Sequence, residues 1–164
     1  MVSRDFDLET FLPFLLNQAA ETTSHGFAEI YQNRYGMTRG QWRVMANLGR
    51  FGPMTATEIC RRGQLEKTKV SRAVHALEKK DWLSRKSLET DRRSECLSLT
   101  EAGRAVFEDM GQAALDYDRA LRARLGDAAV EEAIALLRRL GPEGLGENPV
   151  TIACQEPGPA NGGR

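Results

Sequence analysis

Cysteine and histidine are scarce in this sequence of 164 residues. It contains three cysteines, Cys60, Cys96 and Cys154, and two histidines, His25 and His75. The cysteines are odd in number, widely spaced and without a Cys-x-x-Cys pair, so neither a disulfide framework nor a structural zinc site is expected. We predict that the protein uses no metal and no cofactor.

Long apolar segments and the common catalytic motifs are missing as well. No segment approaches the roughly 20 apolar residues of a membrane-spanning helix, and the N-terminus lacks the basic and apolar regions of a signal peptide. The sequence has no phosphate-binding glycine loop, no nucleophile elbow and no metal-ligand cluster. We therefore expect a cytoplasmic protein that has no membrane partner and is not an enzyme.

Charge is unevenly distributed along the chain, although its formal net value is zero. Residues 61–93 include eleven basic and five acidic side chains, a net charge of +6, so the rest of the chain carries −6. A solvated surface is one explanation for such a cluster. Nucleic-acid binding is the other, and the elements that carry the cluster favour it.

Apolar residues at three- and four-residue intervals predict a first helix from about residue 12 to residue 34, with Pro13 in its first turn. Gly36 ends this pattern. Thr38 and Gln41 have the capping-box spacing of a second helix, which Gly52 ends.

The segment from Thr55 to Gly103 has the order helix, glycine turn, basic helix and two short strands. Thr55 caps a third helix over residues 56–62, which Gly63 is expected to end in the left-handed conformation. A fourth helix over residues 66–80 has an apolar stripe on one side and polar residues on the others. This order predicts a winged helix-turn-helix, a module that recognises DNA.

Two strands and two further helices complete the prediction. The strands cover residues 83–88 and 94–99, and the second is expected to be half-buried because apolar and polar residues alternate in it. Thr100 caps a fifth helix to about Leu125, and a sixth covers residues 128–140. Glycine and proline recur beyond Gly141, so residues 141–164 are expected to form a flexible tail.

Four segments together resemble the MarR family of bacterial winged-helix transcriptional regulators. They read LEKTKVSRAVHAL at residues 65–77, DRRSECLSLTEAG at 91–103, MTRGQWRV at 37–44 and LPFLLN at 12–17. The resemblance covers residues 8–140 as a single domain. It implies a mainly α fold of the α+β winged-helix type, with a winged helix-turn-helix at about 38–99.

The resemblance also implies a homodimer, built from helices at about 12–34 and 101–140 that intertwine with those of a second subunit. Apolar stripes on the first, fifth and sixth helices support this, because one small winged module cannot cover all of them. The expected function is a ligand-responsive repressor acting on a pseudo-palindromic operator. A winged-helix module for protein binding and a thiol-based redox sensor are the alternatives.

In the family, the fourth helix enters the major groove of double-stranded DNA and the wing reaches the minor groove. The residues implied to contact DNA are Lys67, Thr68, Lys69, Ser71, Arg72 and His75 on the helix, Asp91 and Arg93 in the wing, and Thr38 and Thr55 at helix N-termini. Arg72 is suited to bidentate guanine recognition. A hairpin ion pair for Asp91 and Arg93, and capping alone for the two threonines, are the alternatives.

Family members also bind small aromatic or anionic effectors. His25, Trp42 and Arg43 form an aromatic and cationic set that is a candidate for such a site, whereas packing and ion pairing are their alternative roles. Two positions depart from the family pattern. Asp81 replaces a frequent glycine and should alter the turn before the wing, and Glu66 stands where a shorter capping aspartate is common.

Overall fold

A computed structural model describes residues 6–87 and 95–140. They fall into two compact units, one ending at Arg39 and the other beginning at Gly40. The first unit contains helix α1 (Leu12–Tyr35), which Gly36 ends in the left-handed conformation at φ 58°. The backbone N–H of Gly36 donates to the carbonyl of Gln32 at 2.8 Å. The predicted bounds of the first helix are thus confirmed to within a residue.

Helix α2 leads into the second unit, which contains the other helices. Their bounds are α2 Arg39–Phe51, α3 Ala56–Gly63, α4 Lys67–Lys79, α5 Glu101–Leu125 and α6 Asp127–Leu140. All of them agree with the sequence prediction to within one or two residues. None of the described helices is both long enough and apolar enough to cross a membrane.

The end of α3 differs from the prediction. Gly63 is the last helical residue, and Gln64 adopts the left-handed conformation instead, at φ 47° and ψ 47°. A Cβ at Gly63 would lie 3.0 Å from the side chain of Leu65, a tight contact that a small shift of that side chain would relieve. The carbonyl oxygen of Gly63 accepts a hydrogen bond of 2.7 Å from Nη2 of Arg43.

The second unit also contains a small antiparallel sheet. Its strands are β1 (Met54–Thr55), β2 (Leu83–Ser87) and β3 (Glu95–Leu99), in the order β1-β3-β2. The two longer strands were predictable from sequence. Strand β1 was not, because two residues are too few to show a period.

Strand β3 is buried on both faces over part of its length, which corrects the prediction of a half-buried strand. Cys96 and Leu97 point to opposite faces, yet they are only 8% and 2% exposed. Strands β1 and β2 flank β3, and helices α3 and α5 both contact it, so side chains on both of its faces can be covered. Cys60 is a free, half-buried thiol.

The core of the second unit is formed by one face of each helix of the winged module and by the sheet. Its most deeply buried side chains include Val44, Met45 and Leu48 of α2, Ile59 of α3, Val70 and Leu77 of α4, Leu97 of β3 and Met110 of α5. This core fixes α3 and α4 relative to the sheet. It therefore sets the position of the polar face of α4.

Candidate nucleic-acid interface

Helix α4 has one buried and one exposed face, as the sequence predicts. Val70, Ala73, Val74 and Leu77 are buried. The side chains predicted to contact DNA are all exposed, namely Lys67, Thr68, Lys69, Ser71, Arg72 and His75. One helix therefore carries all six of these candidate contacts on its solvent side.

The turn between α3 and α4 consists of three residues, as in a helix-turn-helix. It is closed by the backbone N–H of Leu65, which donates to the carbonyl of Cys60 at 3.0 Å. The left-handed conformation of Gln64 makes this closure possible. The first three residues of α4, Lys67, Thr68 and Lys69, are exposed.

The cations on this face are available for an external anion. Arg72 and Lys67 have no hydrogen-bond or ion-pair partner among the residues that the structure describes. Nζ of Lys69 lies 3.1 Å from the carboxylate of Glu66, but both side chains are largely exposed. Such a surface pair is worth about 0 to 1 kcal/mol and is easily exchanged.

Arg85 joins α4 to both long strands, a role that the sequence analysis missed. Its guanidinium donates to the Glu78 carboxylate at 2.7 Å and 2.5 Å, and to the Glu95 carboxylate at 2.6 Å. The hydrogen bond from Arg85 lowers the pKa of Glu78, and both carboxylates raise the pKa of Arg85. The base of the β2–β3 hairpin is therefore held against the C-terminal half of α4.

The turn between α4 and β2 places Asp81 in the left-handed region that glycine adopts easily, and the expected change of the turn relative to the family stays a prediction. Asp81 lies at φ 57°. Its N–H donates to the carbonyl of Glu78 at 2.9 Å, and its own carbonyl accepts a 2.7 Å hydrogen bond from Oγ1 of Thr100. These bonds hold an aspartate in a conformation that most non-glycine residues avoid.

The other residues predicted to contact DNA do not belong to α4. Oγ1 of Thr55 accepts from the N–H of Glu58 at 3.2 Å, which confirms its capping role. Thr38 is exposed immediately before α2. Asp91 and Arg93 lie outside the described residues, so the wing contacts stay a prediction.

The three candidate effector residues lie in different units. Trp42 and Arg43 belong to the second unit, where the Trp42 ring stacks on Phe107 at 6.5 Å between centroids and Arg43 binds the Gly63 carbonyl. His25 belongs to the first unit, where Nδ1 lies 3.8 Å from the Glu29 carboxylate. Their joint role as an effector site stays a prediction.

His25 also lines a cavity of about 370 Å³ within the first unit. The cavity includes Arg39, whose Nη1 lies 3.0 Å from the Glu21 carboxylate and whose Nη2 lies 3.3 Å from Oγ of Ser24. Tyr31 contributes a hydroxyl whose pKa is raised by burial and lowered to a smaller extent by Arg39. The lining thus combines a cation, hydrogen-bonding groups and an aromatic ring.

Comparisons with known proteins agree with this architecture. The sequence model of the MarR family matches residues 35–94. The HTH-type transcriptional regulator YwoH of Bacillus subtilis is 30% identical over 104 residues, which cover 63% of this chain and 75% of that protein. The solved structure of the MarR family transcriptional regulator SPO1453 from Silicibacter pomeroyi is 26% identical, with a TM-score of 0.70 over 84% of this chain and 100% of that chain.

A further solved structure shows the same fold bound to DNA. A mutant MarR from E. coli in complex with operator DNA is 22% identical and has a TM-score of 0.74, covering 85% of this chain and 100% of that chain. The exposed basic helix, the three-residue turn and the hairpin are thus the parts of a known DNA-binding fold. The chain belongs to the MarR family of DNA-binding winged-helix transcriptional regulators.

Proposed function

We propose that the protein is a homodimeric, ligand-responsive repressor that inserts one α4 helix from each subunit into successive major grooves of an operator. The observation that carries the proposal is the exposed polar face of α4, where Arg72 has no ion-pair or hydrogen-bond partner within residues 6–87 and 95–140. Two-fold symmetry requires a pseudo-palindromic site with half-sites about 10 base pairs apart. Occupancy of such a site in the cytoplasm would block RNA polymerase.

Direct recognition is assigned to the middle of α4. The planar guanidinium of Arg72 matches O6 and N7 of guanine, and the shorter Thr68 and Ser71 can contact base edges or phosphate. Lys67, Lys69 and His75 flank these residues and are assigned to the phosphate backbone. Arg93, oriented by Asp91, is assigned to the minor groove.

Dimer formation is supported by apolar side chains that the single chain leaves uncovered. Large exposed apolar residues cluster at the start of the first unit and on the second half of α5 and on α6: Phe6, Leu8, Phe11, Leu12, Leu15, Leu115, Leu125, Leu136, Leu137 and Leu140. No residue of α6 is buried. A second copy of the chain would cover these surfaces.

The assignment of Arg72 is tested by titrating the protein onto duplex DNA from its own upstream intergenic region at fixed salt. Arg72→Ala should weaken specific binding at least tenfold, since a good bidentate contact is worth about 1 to 3 kcal/mol. Arg124→Ala, an exposed arginine in the last turn of α5, is the matched control and should bind as the wild type does. Equal affinities of the Arg72→Ala and wild-type proteins would reject the assignment.

The cavity in the first unit supports a small aromatic or anionic effector. A carboxylate bound there would displace Glu21 from Arg39. The displacement requires little free energy, because the side chains of Arg39 and Glu21 are 46% and 63% exposed and such an ion pair contributes about 0 to 1 kcal/mol. Such a ligand acts only if it binds the DNA-free conformation more tightly than the DNA-bound one.

Benzoate is a suitable probe of this effector assignment. It should lower operator affinity for the wild type, and Arg39→Gln should remove that response without removing DNA binding. Arg34→Gln changes an exposed arginine of the same helical unit that does not line the cavity, and it should respond as the wild type does. The same response to benzoate in all three proteins would contradict the assignment.

A further inference from the structure

Glu66 is an exposed carboxylate at the start of α4 that plays no capping role. It occupies the N-cap position with extended dihedral angles, but its side chain makes no capping hydrogen bond. Thr55 and Thr100, at the same position of α3 and α5, both accept a backbone N–H through Oγ1, at 3.2 Å and 3.0 Å. The winged module therefore caps two helices with side chains and leaves α4 without such a cap.

The ion pair between Glu66 and Lys69 does not explain why a glutamate occupies this position either. The two side chains are 71% and 64% exposed, so the 3.1 Å contact adds little to stability. A serine or aspartate at this position would cap the helix and stabilise it more than the pair does. Glu66 thus occupies a position where a side chain of another type would serve the fold better.

From these observations we infer that Glu66 is a specificity determinant, whose carboxylate accepts a hydrogen bond from the N4 amino group of cytosine in the major groove. The inference rests on the proposed function, in which the N-terminal part of α4 lies against base edges. A carboxylate only accepts hydrogen bonds, and cytosine presents a donor in the major groove. Lys69 is released to a phosphate as the helix enters the groove.

The same carboxylate discriminates against other bases. Guanine presents only acceptors in the major groove, thymine presents O4 and a methyl group, and adenine places its N7 acceptor beside the N6 donor. Guanine and thymine would leave the charge of Glu66 desolvated and without a partner, and N7 of adenine would repel the second carboxylate oxygen, so all three bases disfavour binding. The wild type should therefore prefer cytosine at one position of each half-site by about tenfold.

The test is selection of operator variants from a pool randomised at each half-site position, using the full-length protein at fixed salt. Glu66→Ala should lose the cytosine preference at one position, keep the preferences at the others, and bind unrelated DNA more tightly because a negative charge is removed. Lys69→Ala is the control. It should weaken binding to all sequences alike and leave every preference unchanged.

Glu66→Asp separates recognition from helix stability. Aspartate can cap α4, so the unfolding midpoint of the Glu66→Asp protein should rise. Because its side chain is one methylene shorter, the preference for cytosine should fall. If Glu66→Ala tightens binding to every sequence equally, Glu66 is a repulsive charge and the inference is wrong. If the wild type itself selects no sequence, the proposed function fails as well.

Discussion

Among the described glycines, Gly103 has the least space for a side chain. A Cβ added there would lie 1.9 Å from the carbonyl oxygen of Trp82 and 2.8 Å from its carbonyl carbon. The first turn of α5 therefore packs directly on the backbone that begins β2. The Thr-Glu-Ala-Gly segment contributes to the family resemblance, and the contact with Trp82 explains why its last residue is glycine.

Gly103→Ala should lower the free energy of unfolding by about 3 kcal/mol, because backbone atoms must move to admit the methyl group. Gly111 in the same helix has no atom within 4 Å of the corresponding Cβ position. Gly111→Ala should be neutral or stabilise by up to about 1 kcal/mol through helix propensity. Urea unfolding of the two variants measures this, and equal effects at both positions would contradict the steric explanation.

At the scale of elements, the contact between α4 and the hairpin depends on one arginine. Arg85 binds Glu78 through two nitrogens and Glu95 through a third. These bonds are charge-assisted, but the groups are partly exposed, so we expect a coupling free energy of about 1 kcal/mol between Arg85 and Glu78. The Lys69–Glu66 pair, which is much more exposed, should show a coupling close to zero.

Double-mutant cycles with alanine at both members of each pair measure these couplings near neutral pH. The coupling of Arg85 with Glu78 should also depend on pH in one direction. Because the pKa of Glu78 is lowered in the folded state, its stabilising effect is present above the unfolded pKa and is lost as pH falls through the folded pKa. A coupling that persists unchanged at pH 2 would contradict the ion-pair assignment.

The elements differ in how far sequence alone determines them. The amphipathic pattern of α4 was sufficient to predict its bounds and its exposed DNA-facing residues, since a helical stripe is a local property. Strand β1 and the ion pairs of Arg85 were not predictable in the same way, because they depend on contacts between different elements, which periodicity does not report. The left-handed conformation of Gln64 was missed because the adjacent Gly63 is the residue that adopts it more easily.

At the scale of the whole molecule, α6 is the strongest argument for a second subunit. It has 14 residues and none of them is buried, and helices of this length are marginal in water without packing. Arg122 joins it to α5 through Glu131 at 2.8 Å, but such exposed pairs contribute little. The exposed apolar side chains of α6 therefore support the proposed dimer, in which a second copy of the chain would cover them.

The distribution of charge over the whole molecule explains how a chain with zero net charge can bind a polyanion. The positive charge of residues 61–93 is concentrated in the winged module, and the compensating negative charge lies elsewhere in the chain. In a dimer, two such modules would face the DNA together. Affinity is then governed by the local charge of each module and depends on salt.

The salt dependence of operator binding tests this account most directly. Observed association constants of the full-length protein for its upstream DNA should be measured across a series of salt concentrations. If the two modules of a dimer together neutralise about six phosphates, the plot of log K against log salt should have a slope near −5. A slope near zero would contradict the claim that the exposed basic face of α4 binds DNA.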